Sequence, residues 1–534
     1  MKALQDFKQH FRADLTAGFI LSLIALPLCI GIAGASIGNG SISPAVSGII
    51  AAIVGGVIVS RFSGANVAIH GPAAGMIVIV QHGIDSLGQG DAKIGFQRFL
   101  AAMMVAGVLQ ILIGIFKLAR YAALFPVNVI HGMLAAIGVI IISKQVHIAI
   151  GVLPTAKSPL GLYVEIPQSI MNMNPEIAII GLVSVMIMVA FALSKHPLAK
   201  KVPAPLLVVI VAAILGIGFD LTRDHVYFFM GKDYVLTDKY LVSLPASIFN
   251  SLPRPDFSVI TSVNSIIAII SIFFVASLES LLSASAVDKL DLEKRSTNLN
   301  KEIIANGIAN TILGFIGGLP IIAEIVRSSA NVTNGAKTQW SNFFHGVFLA
   351  VFLFAIPSVI HLIPNAALAG ILIMVGFRLA RPSEFKHALQ IGPEQLAIFL
   401  TTLIVTLVED LLVGIAAGIL VKILILIIRG VKPSHFFKMT FEVADNAKRI
   451  IMKPKGSVVF TNLFSLTDRI DVVAKEKSVA IDFSAVKYVD HTSMAALADL
   501  KHNQQAAGRS VEFLNFDNLD PVSQHPIAAR RAHR

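Results

Sequence analysis

Charged residues are scarce in this 534-residue chain. Asp, Glu, Lys and Arg make up only 14% of it and 55% of its residues are hydrophobic, whereas a soluble domain carries about 25% charged residues. Most of the surface therefore cannot face water. Apolar runs of about 20 residues, each long enough to cross a bilayer, recur until ordinary polarity returns near Lys432. The sequence thus predicts a transmembrane domain over residues 1–430 and a soluble domain over residues 431–534.

Several kinds of functional motif are also missing. The single cysteine, Cys29, excludes an intrachain disulfide and a cysteine-based metal cluster. Glycine-rich stretches such as 48–56 lack the Gly-Lys-Ser/Thr of a phosphate-binding loop, and their spacing is typical of packed helices. The net charge of +11 is carried mainly by short loops, as the positive-inside rule requires, and no basic patch interleaved with aromatics predicts nucleic-acid binding. We therefore expect a membrane protein that is no enzyme, needs no cofactor and is not driven by ATP.

Fourteen apolar segments are predicted, in two sets of seven. Because seven is odd, the second set enters the membrane in the opposite orientation, which is the inverted-repeat plan of many secondary transporters. The first repeat, about 15–219, contains segments near 15–37, 43–60, 71–84, 98–118, 126–149, 176–193 and 204–219. The second repeat, about 263–429, contains segments near 263–287, 302–316, 320–335, 342–360, 364–379, 393–408 and 411–429.

The third segment of each set is short and opens with glycine and proline. Gly-Pro at 71–72 follows a β-prone stretch at 66–70, and Gly-Gly-Leu-Pro at 317–320 opens the tenth segment. Proline is tolerated in the first turn of a helix, whereas irregular backbone at membrane depth survives only where it is buried in protein or lines a cavity. We therefore predict two midplane half-helices whose N-termini face each other and form an anion site. Two ordinary loops at the membrane surface are the alternative.

Ionisable residues inside apolar segments are costly and so indicate functional sites. Glu279 lies in the middle of the eighth segment with no basic residue within a turn, and Ser283 follows one turn later. Glu324 and Arg327 lie in the tenth segment, on the helical face that would include its opening proline. We predict that Arg327 is the fixed positive charge beside the anion. Glu279, with Ser283, is the predicted site of a coupling cation, while Glu324 is either a further coupling site or the ion-pair partner of Arg327.

Three stretches together resemble the SulP family of anion transporters. They are Arg-Ala-Asp-Leu-Thr-Ala-Gly at 12–18, His-Gly-Pro-Ala-Ala-Gly at 70–75, and Gly-Gly-Leu-Pro at 317–320 with the Arg-Ser pair that follows. The resemblance implies core and gate subdomains, frequent homodimers, and bicarbonate, sulfate, chloride or a dicarboxylate as substrate. It implies that the substrate lies between the third and tenth segments, against Gly71, Pro72, Ala73, Ala74, Val326, Arg327 and Ser328.

The resemblance also bears on the coupled cation. In sodium-coupled bicarbonate members an acidic residue of the eighth span helps to hold sodium, and Glu279 with Ser283 falls on those positions. Glu279 is thus the one candidate metal ligand, for Na⁺. Glu324 stands where small or hydroxyl residues are more usual, which leaves proton coupling open.

The C-terminal region resembles a STAS domain in its stretches 479–484, 490–493 and 511–514. Apolar strand patterns alternate there with helical patterns, which predicts a small α/β layer. His491 stands where STAS phosphoswitches have a serine. The adjacent Thr492 and Ser493 are the remaining candidates for phosphorylation, and they are weaker candidates than a serine at position 491 would be. The strands are expected at 457–461, 479–483 and 511–515, and the helices near 465–475 and 492–507.

These observations predict a secondary active transporter of small anions, with bicarbonate or sulfate as substrate and Na⁺ or H⁺ as the coupled cation. We expect a multi-pass protein of the inner (plasma) membrane, with both termini cytoplasmic, that forms a homodimer. The alternatives are a dicarboxylate/H⁺ symporter, or a membrane-bound sensor or scaffold that signals through its STAS domain.

Overall fold

The computed structural model describes residues 2–38, 43–119, 121, 125–196, 202–245, 247–248, 251–445, 449–473, 478–506 and 510–533. The helices of the first half are α1 (Lys2–Ile37), α2 (Pro44–Phe62), α3 (Ile77–Gly88), α4 (Ala92–Ile115), α5 (Val127–Ala149), α6 (Pro159–Met171), α7 (Pro175–Leu193) and α8 (Ala204–Gly218). Those of the second half are α9 (Val263–Asp288), α10 (Leu299–Ile316), α11 (Ile325–Thr333), α12 (Trp340–Ala355), α13 (Pro357–His361), α14 (Asn365–Leu379), α15 (Pro382–Ile391), α16 (Pro393–Val408) and α17 (Leu411–Ile428). The C-terminal helices are α18 (Ser434–Phe437), α19 (Leu463–Val473) and α20 (His491–Ala506).

The strands belong to three separate sheets. The two paired strands of the membrane domain are β1 (His70–Pro72) and β4 (Ile321–Ala323). A hairpin between α8 and α9 contains β2 (His225–Phe229) and β3 (Lys232–Leu236). The C-terminal strands are β5 (Thr440–Asp445), β6 (Arg449–Val458), β7 (Ser478–Asp482), β8 (Val486–Val489), β9 (Val511–Leu514), β10 (Leu519–Pro521) and β11 (Arg530–Ala532).

Membrane-compatible helices occur throughout the part of the chain predicted to be apolar. Among the described residues, eight helices are long and apolar enough to cross a membrane, and α8, α12 and α16 are shorter apolar helices. The remaining predicted segments contain α10 and the short helices α3 and α11. The chain is therefore a polytopic α-helical membrane protein, as its composition indicates. The hairpin β2–β3 and helix α6 were not expected from the sequence.

The described chain divides into two compact units. The first comprises residues 1–120 and 137–379, and the second comprises residues 121–136 and 380–534. The second unit thus includes α15, α16 and α17 together with the C-terminal sheet. The boundary predicted at residue 431 separates membrane segments from soluble sequence, which is a different criterion from mutual packing.

Within the first unit, glycines allow α4 and α10 to pack backbone against backbone. A Cβ atom at Gly107 would lie 2.8 Å from the Gly307 carbonyl oxygen, and one at Gly307 would lie 2.6 Å from the Gly107 carbonyl oxygen. Small residues that permit such an approach are a common basis of helix packing in membranes. This close packing places α10 in the interior of the unit, beside the two paired strands β1 and β4.

The C-terminal sheet has the strand order β10-β11-β8-β6-β7-β9, with β5 also paired to β6. The pairs β6–β7, β6–β8 and β7–β9 are parallel. The bounds of α19 and α20 agree to within about two residues with the two helices expected near 465–475 and 492–507. The strand expected at 457–461 is misplaced, because β6 ends at Val458 and the chain then turns into α19. The turn is stabilised by Asn462, whose side chain accepts a hydrogen bond from the Val459 amide at 2.9 Å.

Candidate functional site

Strands β1 and β4 bring the two halves of the membrane domain together inside the first unit. They pair antiparallel, with His70 opposite Ala323 and Pro72 opposite Ile321, and every residue in both strands is buried. Backbone that is not helical must have its polar groups satisfied within the protein at membrane depth. The antiparallel pairing satisfies part of these backbone groups. Of the β-prone stretch at 66–70, only His70 lies in β1.

The two apolar segments do not begin as helices at their prolines. Pro320 precedes β4, and α11 begins only at Ile325, after Glu324 in an extended conformation (φ −108°, ψ 115°). The expectation that this proline and Glu324 share a helical face is wrong, because a strand separates them. The proline at position 72 likewise ends β1, and a 3₁₀ turn at Ala74–Met76 leads into α3.

Both short helices begin beside the strand pair. Because β1 and β4 are antiparallel, α3 and α11 leave the pair at opposite ends, and the free N–H groups of each helix N-terminus point back towards it. Each N-terminus carries roughly half a positive charge. Ile325 and Val326 at the start of α11 are 42% and 51% exposed, whereas Ala73 and Ala74 are buried. The start of α11 is therefore the accessible part of this arrangement.

Arg327 extends from the first turn of α11 to the end of β1. Its side chain is completely buried, and its Nη2 donates a hydrogen bond of 2.6 Å to the Pro72 carbonyl oxygen. Its Nη1 is 3.4 Å from Cys29 Sγ, and its Nε is 3.5 Å from Glu324 Oε2. A side chain at Gly71 would collide with the guanidinium, so this glycine makes the approach to β1 sterically possible. In the described structure, Arg327 Nε makes no hydrogen bond.

Glu279 approaches the same site from α9. A side chain at Gly75 would collide with both of its carboxylate oxygens, so the carboxylate lies against the turn that opens α3. Its Oε2 is buried and has no hydrogen-bond partner among the described residues. Ser283 lies one turn along α9 and is half-buried. An orphaned carboxylate oxygen at this depth is suited to a proton or to a hard cation such as Na⁺.

The structure therefore brings most of the predicted site residues together. Gly71, Pro72 and Arg327 are in contact, and Glu324 is the ion-pair partner of Arg327 that the sequence offered as one alternative. Ser328 is fully buried, and its hydroxyl accepts a hydrogen bond from the Ile69 amide at 2.9 Å and donates one to the Glu324 carbonyl at 2.6 Å. The roles assigned to all seven residues in substrate binding, which are Gly71, Pro72, Ala73, Ala74, Val326, Arg327 and Ser328, remain predictions.

Sequence reasoning missed a row of polar residues on α10. Glu302, Asn306 and Asn310 are each 0% exposed. Their side chains make hydrogen bonds to groups in or beside the paired strands β1 and β4. Glu302 Oε1 lies 2.5 Å from His70 Nε2. The signal was present, because polar residues at four-residue spacing in an otherwise apolar helix define one face.

No group of three or more His, Cys, Asp or Glu in the described ranges is arranged to hold a metal ion. The Na⁺ site predicted at Glu279 would therefore depend on one carboxylate together with hydroxyl or carbonyl oxygens, a donor set that Na⁺ accepts. The orphaned Oε2 of Glu279 fits either Na⁺ or H⁺ as a transported ion, and the prediction stays open between them.

In the second unit, the residues considered for phosphorylation are buried. Thr492 and Ser493 are 2% and 0% exposed. Lys422 of α17 donates a hydrogen bond of 2.5 Å to Thr492 Oγ1, and its Nζ lies 2.8 Å from Asp490 Oδ2. Asp490 Oδ1 accepts from the Ser493 amide at 2.9 Å, which caps α20. In this conformation neither hydroxyl is accessible to a kinase.

Fold and site together define a class of protein. It is a polytopic membrane protein in which two short helices start beside a pair of antiparallel strands, followed by an α/β domain. Residues 11–402 match the Sulfate permease family, and residues 438–518 match the STAS domain. The chain belongs to the Sulfate permease family and carries a C-terminal STAS domain, as the motifs at 70–75 and 317–320 indicated.

Curated relatives are similar over most of the chain. The bicarbonate transporter BicA of Picosynechococcus sp. (strain ATCC 27264 / PCC 7002 / PR-6) is 28% identical over 404 residues, covering 75% of this chain and 68% of that protein. YvdB of Bacillus subtilis (strain 168), whose name provisionally assigns it sulfate transport, is 26% identical over 405 residues, covering 74% of this chain and 70% of that protein.

Solved structures share the fold. The transmembrane domain of a cyanobacterial bicarbonate transporter BicA aligns with a TM-score of 0.62 and 24% identity, covering 77% of this chain and 97% of that chain. The murine Solute Carrier 26 family member A9 anion transporter in its inward-facing state aligns with a TM-score of 0.66 and 16% identity, covering 94% of this chain and 85% of that chain.

Proposed function

We propose that this protein is a secondary active transporter of small anions. The observation that carries the proposal is the buried guanidinium of Arg327, which lies in the first turn of α11 and reaches the end of β1. A fixed cation beside helix N-termini is a favourable environment for an anion, because helix N–H groups and the guanidinium both donate hydrogen bonds to it. The accessible start of α11 gives such an anion a place to bind.

Bicarbonate or sulfate is the proposed substrate. Relatives named for bicarbonate transport and for sulfate transport both match over about three quarters of this chain, which supports the small oxyanions over other solutes. Both are oxygen-rich anions that accept several hydrogen bonds at once, which suits a site formed by backbone N–H groups and an arginine.

A coupled cation, Na⁺ or H⁺, is proposed to bind at Glu279. Glu279 and Glu324 give two carboxylates against the single guanidinium of Arg327 within this part of the structure. An incoming anion would add further negative charge, which is costly in a poorly solvated site. A cation on the orphaned Oε2 of Glu279 offsets that charge, and it also lets the anion enter against a negative-inside potential.

The proposal also covers the membrane location, the orientation and the oligomeric state of the protein. We place the protein in the inner (plasma) membrane with both termini in the cytoplasm, because Lys and Arg cluster in the loops that this orientation puts inside. We also propose a homodimer, on the resemblance of the chain to a family in which dimers are frequent. Cysteine accessibility at the two termini and the mass of the purified protein would test these two points.

The proposal is tested by uptake into proteoliposomes. Purified protein is reconstituted, and uptake of radiolabelled bicarbonate, sulfate and succinate is measured with and without inward Na⁺ and H⁺ gradients. We expect saturable uptake of bicarbonate or sulfate that one of the gradients accelerates. Uptake of succinate alone would instead support a dicarboxylate symporter, and no uptake of any of the three would contradict the proposed function.

A further inference from the structure

One face of α10 makes hydrogen bonds to both of the paired strands β1 and β4. Glu302, Asn306 and Asn310 are spaced four residues apart, so they lie one above the other on the same face of the helix. All three are fully buried. Burying a carboxylate and two amides in an apolar interior is costly unless each is hydrogen-bonded, so their partners explain why they are there. We call these three residues the α10 ladder.

The first member of the ladder holds β1. Glu302 Oε1 lies 2.5 Å from His70 Nε2, and Glu302 Oε2 accepts a hydrogen bond of 2.6 Å from Ser63 Oγ. On the other side of the ring, His70 Nδ1 lies 3.2 Å from the side-chain nitrogen of Asn342. Because that amide nitrogen donates, Nδ1 accepts, and the imidazole proton is on Nε2, facing Glu302. The first residue of β1 is thus fixed from both sides.

The last member of the ladder holds the start of β4. Asn310 Oδ1 accepts a hydrogen bond of 2.8 Å from the Ile321 amide, and its Nδ2 donates to the Ile321 carbonyl at 3.3 Å. The same Nδ2 donates to Gln110 Oε1 of α4 at 3.0 Å. One side chain therefore satisfies both backbone groups of Ile321, and it is itself oriented by a neighbouring helix.

The middle member connects these two ends to α9. Asn306 Nδ2 donates to Glu302 Oε1 at 3.2 Å and to Ser280 Oγ at 2.6 Å. Ser280 Oγ in turn accepts from the Ala323 amide at 3.0 Å, at the end of β4. Since Ser280 follows Glu279 directly, the network that bonds to β4 also reaches the residue next to the predicted coupling residue.

We propose that Glu302, Asn306 and Asn310 are positioning residues for anion transport. They set the register of β1 against β4, and through it the distance between Arg327 and the Pro72 carbonyl oxygen. The inference rests on the proposed function, because it assigns the ladder to the anion site. Misplacing reacting or binding groups by about 1 Å can lower a rate or affinity by about a hundredfold, so a register held by side chains has a direct effect on substrate binding.

The geometric part is tested without transport, by hydrogen–deuterium exchange of the peptide that covers 317–324. Asn310→Ala removes the acceptor of the Ile321 amide, and Ser280→Ala removes the acceptor of the Ala323 amide. Each change is expected to accelerate exchange at that amide in the full-length protein. The control is Asn300→Ala, on the same helix, because Asn300 accepts from the Ala119 amide at 3.3 Å and lies off the ladder face. Unchanged exchange in both the Asn310→Ala and the Ser280→Ala variant overturns the inference.

The functional part is tested by uptake kinetics with radiolabelled bicarbonate and sulfate. Glu302→Ala and Asn310→Ala are expected to raise KM about ten- to a hundredfold while changing the saturated rate less, and Glu302→Gln is expected to recover most of the loss. A KM unchanged from wild type, despite accelerated exchange, overturns the positioning role. If the wild type transports neither anion, the proposed function fails, and the exchange result still decides whether the ladder fixes the strand register.

Discussion

Glu279 is a carboxylate whose surroundings provide few partners. It lies against the turn that opens α3, and its Oε2 is buried without a hydrogen-bond partner in the described part of the protein. A carboxylate in that position is stabilised either by a proton or by a bound cation. Arg327 differs, because the Pro72 carbonyl oxygen and Glu324 satisfy part of its guanidinium. The two residues therefore suit different ions, a cation at Glu279 and an anion at Arg327.

Glu279→Gln should separate anion binding from cation coupling. The substitution keeps the shape of the side chain and removes its titratable charge. We expect the variant to bind bicarbonate or sulfate but to lose accumulation driven by a Na⁺ or H⁺ gradient. The measurement is uptake into proteoliposomes with and without each gradient. Glu165→Gln, which alters an exposed carboxylate that binds Thr155, is the matched control and should accumulate normally. Wild-type accumulation in Glu279→Gln would show that the coupled ion binds elsewhere.

The same two residues could be identified from sequence, whereas the partners of the α10 ladder could not. A glutamate or arginine in an apolar run is conspicuous whatever the fold, because its burial is costly. Asn310 is less conspicuous, since amides also occur in membrane helices as packing contacts. Its role depends on Gln110 and Ile321, and no pattern within α10 indicates that those partners lie beside it.

At the scale of elements, the short strands explain both the success and the error of the sequence prediction. A Gly-Pro pair in an apolar run correctly indicates that an uninterrupted helix cannot form. It does not indicate whether the chain continues as a helix after the proline or as a strand, because that depends on a partner strand from the other half of the membrane domain. The pairing of β1 with β4 decided in favour of strands and delayed the start of α11 to Ile325.

Gly75→Ala tests how closely α3 and α9 must approach. A methyl group at this position would collide with the Glu279 carboxylate, and overpacking of a closely packed site costs about 1–3 kcal/mol. We expect impaired gradient-driven uptake, with the protein still inserted and folded. The matched control is Gly34→Ala in α1, where an added Cβ meets no atom within 4 Å. Equal uptake by the two variants would mean that Glu279 is not held against α3.

At the scale of the whole molecule, the C-terminal sheet packs as one unit with the last membrane helices. Leu426 of α17 belongs to the same buried cluster as Val459, Phe460 and Tyr488. Lys422 adds a buried ion pair with Asp490, both side chains being 3% exposed. The strand and helix patterns of the sequence predicted a small α/β domain, and the stretches at 479–484, 490–493 and 511–514 carried its resemblance to a STAS domain. The sequence could not predict this attachment, because the two partners, Lys422 and Asp490, are far apart in the sequence and meet only in the tertiary structure.

Lys422→Met should destabilise the full-length protein. Removing one partner of a buried ion pair leaves the other charge uncompensated and costs about 3–5 kcal/mol, so the melting temperature in detergent should fall. The double variant Lys422→Met/Asp490→Leu removes both charges and should recover much of the loss. Lys455→Met, which breaks an exposed pair with Glu442, is expected to have little effect. A double variant as unstable as the single one would contradict this reading of the pair.

The most direct test of the account is anion binding by Arg327 variants. Binding of radiolabelled bicarbonate and sulfate to purified protein is measured for wild type, Arg327→Lys and Arg327→Ala, with Arg98→Ala as a control, since Arg98 pairs with Asp256. Truncating a buried charged partner typically costs about 2–5 kcal/mol. We therefore expect Arg327→Ala to bind at least about thirtyfold more weakly, with Arg327→Lys between it and wild type and the control unchanged. Wild-type affinity in a folded Arg327→Ala protein would contradict the assignment of the anion site to α11 and β1.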